Sequence, residues 1–232
     1  LGFTEAALLF ELPTVNIGIS LALIWLFVFV NIRGASMYKK TLLPMMDLMF
    51  VLGFAVIISG FYFDTSDFVA ALQAKESKVI NIDQISRFDW RVFLSASALL
   101  FSSFIGFDSI AQAGSEAKNP TKTLPKAIVL AIFSVGCFYF LFTTAVYHTV
   151  PWSFVAEESK LRDISAPGLL NYVLPSWLGV AIVLGAAIAL INDLPAMLLS
   201  VSRLMFAWAE DGIFPSAISK VHPTNHTPYV AL

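Results

Sequence analysis

Charge is scarce in this 232-residue chain, where Asp, Glu, Lys and Arg make up 13% of the residues against about 25% in a soluble domain. Hydrophobic residues make up 58%, so a water-soluble globular fold is excluded and an all-α polytopic membrane protein is expected. The formal charge of -2 leaves no basic patch and excludes nucleic acid as a partner. The single cysteine, Cys137, has neither a thiol partner nor metal-ligand spacing, which excludes a disulfide framework and a zinc site. Lying in an apolar segment, it reads as a buried packing residue. No signal-peptide pattern opens the chain, and neither a repeat of 20 to 50 residues nor a low-complexity tract is visible. The chain begins at Leu1 without a methionine, and a further apolar segment starts at 228–232. It is therefore expected to be part of a longer protein.

What the chain has in abundance is apolar runs long enough to cross a bilayer, which takes roughly 20 residues. Five spans are expected, at about 14–32, 42–63, 92–114, 127–147 and 177–209, forming a single, partial transmembrane domain. Gly53 and Gly60 in the second span suit close helix contacts. Trp25, Trp90, Trp152, Trp177 and Trp208 read as interface belts and packing, and His148 as an interface residue at a helix end. The stretches at 33–40 and 116–126 read as short basic turns, and those at 64–89 and 148–176 as longer loops with an acidic excess. The positive-inside rule then places the short loops in the cytoplasm, with the N-terminal end outside and the C-terminal end cytoplasmic. The raw count of Lys and Arg agrees, with eight inside and six outside.

Three acids fall inside these spans. Asp108 precedes Lys118 by ten residues and Asp193 precedes Arg203 by ten. At about 1.5 Å per residue each carboxylate lies roughly 15 Å deep, half of a hydrocarbon core about 30 Å thick. Asp47, seven residues beyond Lys40, lies roughly 10 Å deep if the helix is regular through Pro44. A carboxylate at the midplane costs about 2.5–3.5 kcal/mol on insertion scales, so it needs a polar neighbour, a bound cation or a proton. A structural acid bonded to Ser or Asn would meet that need. So would an acid that carries protons.

The third span departs furthest from membrane rules. Its apolar run, Phe93 to Ile105, is only 13 residues long and is interrupted by Ser102 and Ser103; Gly106 and Asp108 follow. Hydroxyls, a glycine and an acid at mid-span require a surface that faces protein or water, because lipid satisfies neither free backbone nor charge. Gly106 reads as the point of a helix break, with packing as the alternative.

Phe104-Ile-Gly-Phe-Asp108-Ser, followed by Glu116-Ala-Lys-Asn-Pro120 and Leu124-Pro125-Lys-Ala-Ile128, closely resembles the signature around the sixth helix of amino acid permeases of the amino acid–polyamine–organocation superfamily. Ser202-Arg203-Leu-Met-Phe-Ala, Glu210-Asp-Gly-Ile-Phe-Pro215, Val221-His-Pro223 and Thr227-Pro228 resemble the end of the eighth helix and the loop after it. Asn31-Ile-Arg-Gly34 resembles the end of the fourth. The resemblance implies a partial LeuT-like bundle of two inverted five-helix repeats, of which the chain holds helices 4 to 8 and lacks helices 1–3 and 9 onward. The substrate site would lie at the midplane between discontinuous helices 1 and 6.

Carried across, the carbonyls of Ser102 and Ile105 would accept the substrate ammonium. Ser103, Phe104, Gly106 and Phe107 would shape the pocket, and Asp108 would open the second half-helix and gate or carry a proton. Asn192 and Met197 would face the substrate side chain, with Asp193 beside them. Several relatives have a lysine in the fifth helix that stands in for a sodium ion, and Asp47 falls near that level. The resemblance thus implies no cofactor and a secondary active transporter of an amino acid, amine or polyamine in the plasma membrane, a symporter or exchanger. The midplane acids favour the proton as coupling ion, with sodium kept open. A nutrient-sensing receptor on the same fold is the alternative. An intramembrane aspartyl protease is a remote one, since Asp108 and Asp193 lack the Gly-x-Gly-Asp motif that chemistry would need.

Overall fold

The computed structural model describes residues 10, 12–77, 88–107, 109–112, 114, 117, 119–161, 165–225 and 227–232. Among the described residues the ordered elements are all helical. They are α1 (Pro13–Ile32), α2 (Ala35–Tyr62), α3 (Thr65–Glu76), α4 (Trp90–Phe101), a 3-10 turn (Ser102–Phe104), α5 (Ser109–Gln112), α6 (Pro120–Thr149), α7 (Trp152–Glu158), α8 (Ala166–Leu170) and α9 (Ser176–Glu210). Five segments are long and apolar enough to cross a membrane: Pro13–Ile32, Ser36–Tyr62, Trp90–Gln112, Pro120–Thr149 and Ser176–Glu210. The chain falls into two compact units, one of residues 1–45 and 190–232 and one of residues 46–189.

Two stretches expected as basic turns are partly helical. Helix α2 begins at Ala35 and takes in Lys39 and Lys40, and α6 begins at Pro120 and takes in Lys122 and Lys126. Long aliphatic stems let such residues extend a membrane helix beyond the hydrocarbon while their charges stay in water. Cys137 also differs from expectation, being exposed on α6. Apolar side chains on a membrane helix have no need to bury themselves in protein, because lipid tails solvate them equally well. The same reasoning accounts for α4, which buries none of its residues.

In the unit of residues 46–189 the tightest packing lies at one end, where the spans meet their connecting segments. Val56, Phe68, Leu72, Val146, Val150, Phe154, Leu170 and Ile182 form its core, joined by Leu169 and Leu174. Phe68 and Leu72 come from α3 and Phe154 from α7, stretches expected to be polar loops. Fully burying such side chains stabilises by about 1.5–3 kcal/mol each, a driving force that acts at the aqueous rim and is absent between helices in lipid. The connections are tied as well as packed. Lys75 donates to the carbonyls of Asn171 (3.1 Å) and Tyr172 (3.0 Å), and the Tyr172 hydroxyl donates to Glu76.

Helix α3 starts with a capping box. The Asp64 carboxylate accepts from the backbone N–H groups of Ser66 (2.8 Å) and Asp67 (3.0 Å), and the Asp64 N–H donates to the Asp67 side chain (3.1 Å). The Ser66 hydroxyl (2.6 Å) and these amides hold the Asp64 carboxyl below its ordinary range. A depressed folded-state pKa means that the cap stabilises above the unfolded value and is lost as pH falls through the lower, folded one. Amide exchange protection over α3 is therefore expected to drop on acidification below the ordinary carboxylate range. Asp64→Ala should reproduce that drop at neutral pH. Equal protection in the variant and the parent at neutral pH would show that the cap contributes nothing.

In the other unit, the segment after α9 closes over the end of α1. Asn225 Nδ2 and Thr227 Oγ1 both donate to the Ile32 carbonyl, at 2.9 and 3.0 Å, one of the acceptors a helix C-terminus leaves unsatisfied. Asn31 Nδ2 donates to Phe27 O (2.9 Å) and to Pro195 O on α9 (3.3 Å). Gly34, at φ +91°, sits against the Asn225 carbonyl. Two motif segments nearly two hundred residues apart in sequence thus form one clasp. The double variant Asn225→Ala/Thr227→Val is expected to raise the rate of proteolytic nicking at 215–227 several-fold without altering helix content, as read by limited digestion and circular dichroism.

Candidate functional site

The site is built where α4 stops. Asp89 caps the helix by accepting from the Arg91 N–H (2.8 Å). Thirteen residues after Asp89, Ser102 Oγ turns back to the Leu99 carbonyl (2.7 Å), a local bond that competes with the helical ladder. The backbone tightens to 3-10 over Ser102–Phe104 and Ile105 turns out of it with ψ 138°. Gly106 follows at φ +117°, a conformation in which any Cβ is strained, although space beside it is open. Ser109 N–H then bonds to Gly106 O (3.1 Å) and Ile110 N–H to Phe107 O (3.3 Å), restarting the chain as α5.

The backbone acceptors across this break are only partly used. The Ser102 carbonyl accepts the Ile105 N–H (3.1 Å), leaving it one lone pair. The Ser103 carbonyl accepts the hydroxyl of Tyr139 (3.0 Å). The carbonyls of Phe104 and Ile105 accept no hydrogen bond among the described residues. Carbonyls left without a partner in a membrane helix suit a cationic or N–H-bearing ligand, since lipid cannot satisfy them. Ser102, Ser103, Ile105 and Phe107 are exposed, and Phe104 is half-buried. Asp108 lies outside the described residues, as do Glu116 and Lys118.

The motif's Asn-Pro pair has a local cause. Asn119 takes the left-handed conformation (φ 55°) and Pro120 occupies the first turn of α6. Asparagine tolerates that conformation, and proline loses nothing at a helix start, where its missing N–H would go unbonded.

The remaining expected residues fall in separate places. Asp47 is exposed on α2, within the unit of residues 46–189 that also holds the break. Asn192, Asp193 and Met197 lie on α9 within the other unit. Asp193 and Met197 are exposed, whereas Asn192 is half-buried with its Oδ1 buried and unbonded among the described residues. Pro195 follows one turn on and is fully buried; it cannot donate to the carbonyl four residues before it, which weakens the ladder beside Asn192. His148 is an anchor: its Nδ1 lies 3.0 and 3.2 Å from the carbonyls of Gly60 and Phe63, which only accept, so Nδ1 carries the proton in this contact.

Sequence reasoning passed over Tyr139. Its signal was a phenol in the middle of an apolar span, where the hydroxyl must find a partner. Its ring meets that of Phe104 edge-on at 5.5 Å, and the two residues line, with Ser103, Thr143 and Tyr147, a groove of about 770 Å³.

A family model described as amino acid permease matches residues 4–232. The chain is 35% identical over 137 residues to the branched-chain amino acid permease BcaP of Bacillus subtilis (strain 168), covering 59% of this chain and 29% of that protein. It is 33% identical over 145 residues to cationic amino acid transporter 4 of Mus musculus (62% and 22%). With the chloroplastic cationic amino acid transporter 9 of Arabidopsis thaliana it is 28% identical over 151 residues (65% and 26%). The matches span less than a third of the length of these curated relatives. All three are named as permeases or transporters, none as an enzyme.

Proposed function

The chain belongs to the amino acid permease family, and on that premise we propose that it forms part of a secondary transporter that moves an amino acid, or a related amine or polyamine, by alternating access. The observation that carries this reading is the break at residues 102–106, where the carbonyls of Phe104 and Ile105 stand without helical partners among the described residues in a segment otherwise apolar enough to span a membrane. An ammonium group supplies the N–H donors those oxygens need, and a binding site assembled from unwound backbone serves alternating access because it lies at the midplane. Helices α1, α2, α4 with α5, α6 and α9 correspond in this reading to helices 4 to 8 of a LeuT-like bundle, whose helix 1 completes the site.

Asp108, Asp193 and Asp47 are the residues through which a proton gradient would act. An acid inside a bilayer faces protein or a wet cavity and exchanges its charge at a cost of a few kcal/mol, an amount comparable to the work of a physiological gradient. The proton is accordingly the proposed coupling ion, and the plasma membrane the proposed location, with the short basic segments cytoplasmic.

Reconstitution of the full-length protein in liposomes tests the reading. Labelled amino acids and polyamines are offered with a pH gradient, with a sodium gradient, and with neither. Accumulation of at least one amino acid driven by the pH gradient is expected. Binding without accumulation would instead identify a receptor, and accumulation that follows sodium alone would remove the proton role.

A further inference from the structure

We propose that Tyr139 of α6 is a positioning residue that sets the geometry of the break, so that the substrate-binding carbonyls of Phe104 and Ile105 are held in place by a neighbouring helix. The inference rests on the transporter reading for its functional meaning, and on packing within the unit of residues 46–189 for its physical content.

An unwound stretch of backbone has no internal ladder to hold it. At the break, the 3-10 turn ends on the bond from Ile105 N–H to Ser102 O, and Gly106 removes the steric restraint that a side chain would add. Left to itself such a segment samples many conformations, and each loose residue would be ordered by the ligand at a cost in affinity. Two contacts from α6 supply the missing restraint. The Tyr139 hydroxyl donates to the Ser103 carbonyl at 3.0 Å, and its ring packs edge-on against Phe104 at 5.5 Å with an interplanar angle of 75°. The Phe104 ring also lies beside Gly136, one turn before Tyr139, 3.8 Å from where a Cβ at that position would stand. The ring pair locates Phe104. The hydroxyl adds direction, because it takes up the one carbonyl between Ser102 and Phe104 and so decides which oxygens remain for a ligand.

The hydroxyl and the ring are separable by substitution. Tyr139→Phe keeps the Phe104 contact and the volume of the groove while deleting the bond to Ser103. One neutral hydrogen bond contributes about 0.5–1.5 kcal/mol, so KM for the transported amino acid is expected to rise about three- to tenfold, with Vmax and the amount of folded protein unchanged. Tyr147→Phe, which removes a hydroxyl from the same groove, serves as the reference and should leave KM where it is. A second readout needs no substrate. In a Cys137→Ala background, Ile105→Cys is labelled with a membrane-permeant maleimide, and Tyr139→Phe should speed that labelling several-fold by freeing the break.

Unchanged KM together with unchanged labelling would overturn the proposal, as would equal effects from Tyr139→Phe and Tyr147→Phe. If the parent protein takes up no amino acid or amine, the transporter reading fails, while faster labelling in Tyr139→Phe would still support the restraint on the break.

Discussion

Asp108→Asn is expected to abolish proton-driven accumulation, by at least about tenfold, while leaving the full-length protein inserted and folded. At the depth of roughly 15 Å expected from its spacing to Lys118, a carboxylate carries an insertion cost of about 2.5–3.5 kcal/mol that a neutral carboxamide largely avoids. The variant should therefore insert at least as well as the parent, and a loss of transport cannot be assigned to misfolding. What the amide lacks is the ability to bind and release a proton at working pH. Counterflow of labelled against unlabelled amino acid separates two roles. If Asp108 only couples proton movement, exchange persists in the variant; if it gates or contacts the substrate, exchange is lost as well. Uptake that keeps its parental dependence on the pH gradient would rule out a proton role for this residue. Beyond it, the N–H groups of Ser109 and Ile110 donate back to the carbonyls of Gly106 and Phe107.

The second large effect is structural. Gly60→Ala should leave little folded protein, because a Cβ at this position would collide with the backbone carbonyl of Ala145 on α6. A clash with a flexible side-chain tip is relieved by a rotation, whereas a clash with backbone is relieved only by moving α2 and α6 apart. Overpacking of this kind costs about 1–3 kcal/mol. Separation would also stretch two bonds to the Gly60 carbonyl, from Thr149 Oγ1 at 2.8 Å and from His148 Nδ1 at 3.0 Å, each contributing about 0.5–1.5 kcal/mol. Gly18→Ala is the matched control: nothing stands within 4 Å of its Cβ position in α1, so the helix gains up to about 1 kcal/mol in propensity. The two variants should diverge in the fraction of monodisperse protein after detergent extraction and in unfolding temperature. If they behave alike, the α2–α6 crossing does not depend on Gly60.

Much of the architecture was legible because membrane helices announce themselves by length alone. Four of the five spans lie where apolar runs reach the required length, the third being interrupted at mid-span, and α9 stops at Glu210-Asp-Gly212 as its terminal chemistry indicates, with Gly212 at φ +77°. The connecting helices were harder to read, because polarity in 64–89 outweighed the local signals within it. Those signals exist: Asp64 and Asp67 have capping-box spacing, and Phe68 and Leu72 lie one turn apart. The break at Gly106 was readable because a bilayer tolerates a glycine beside two hydroxyls at mid-span only where the helix meets protein or water. Which carbonyls the break leaves open was not readable, since that depends on Tyr139, thirty-three residues beyond Gly106 on another helix.

Composition and run length thus determined, without any coordinates, that this chain is an all-helical membrane protein with a helix interrupted at mid-span, because the bilayer imposes the same length and backbone rules on every segment that crosses it. Motif spelling tied that interruption to amino acid permeases. Only tertiary structure decided how the pieces bear on one another: that Asn225 and Thr227 close the end of α1, that α3, α7 and α8 share a core, and that α6 holds the break. These are contacts between residues distant in sequence, and no periodicity along a single chain encodes the partner that a given hydroxyl or carbonyl will meet.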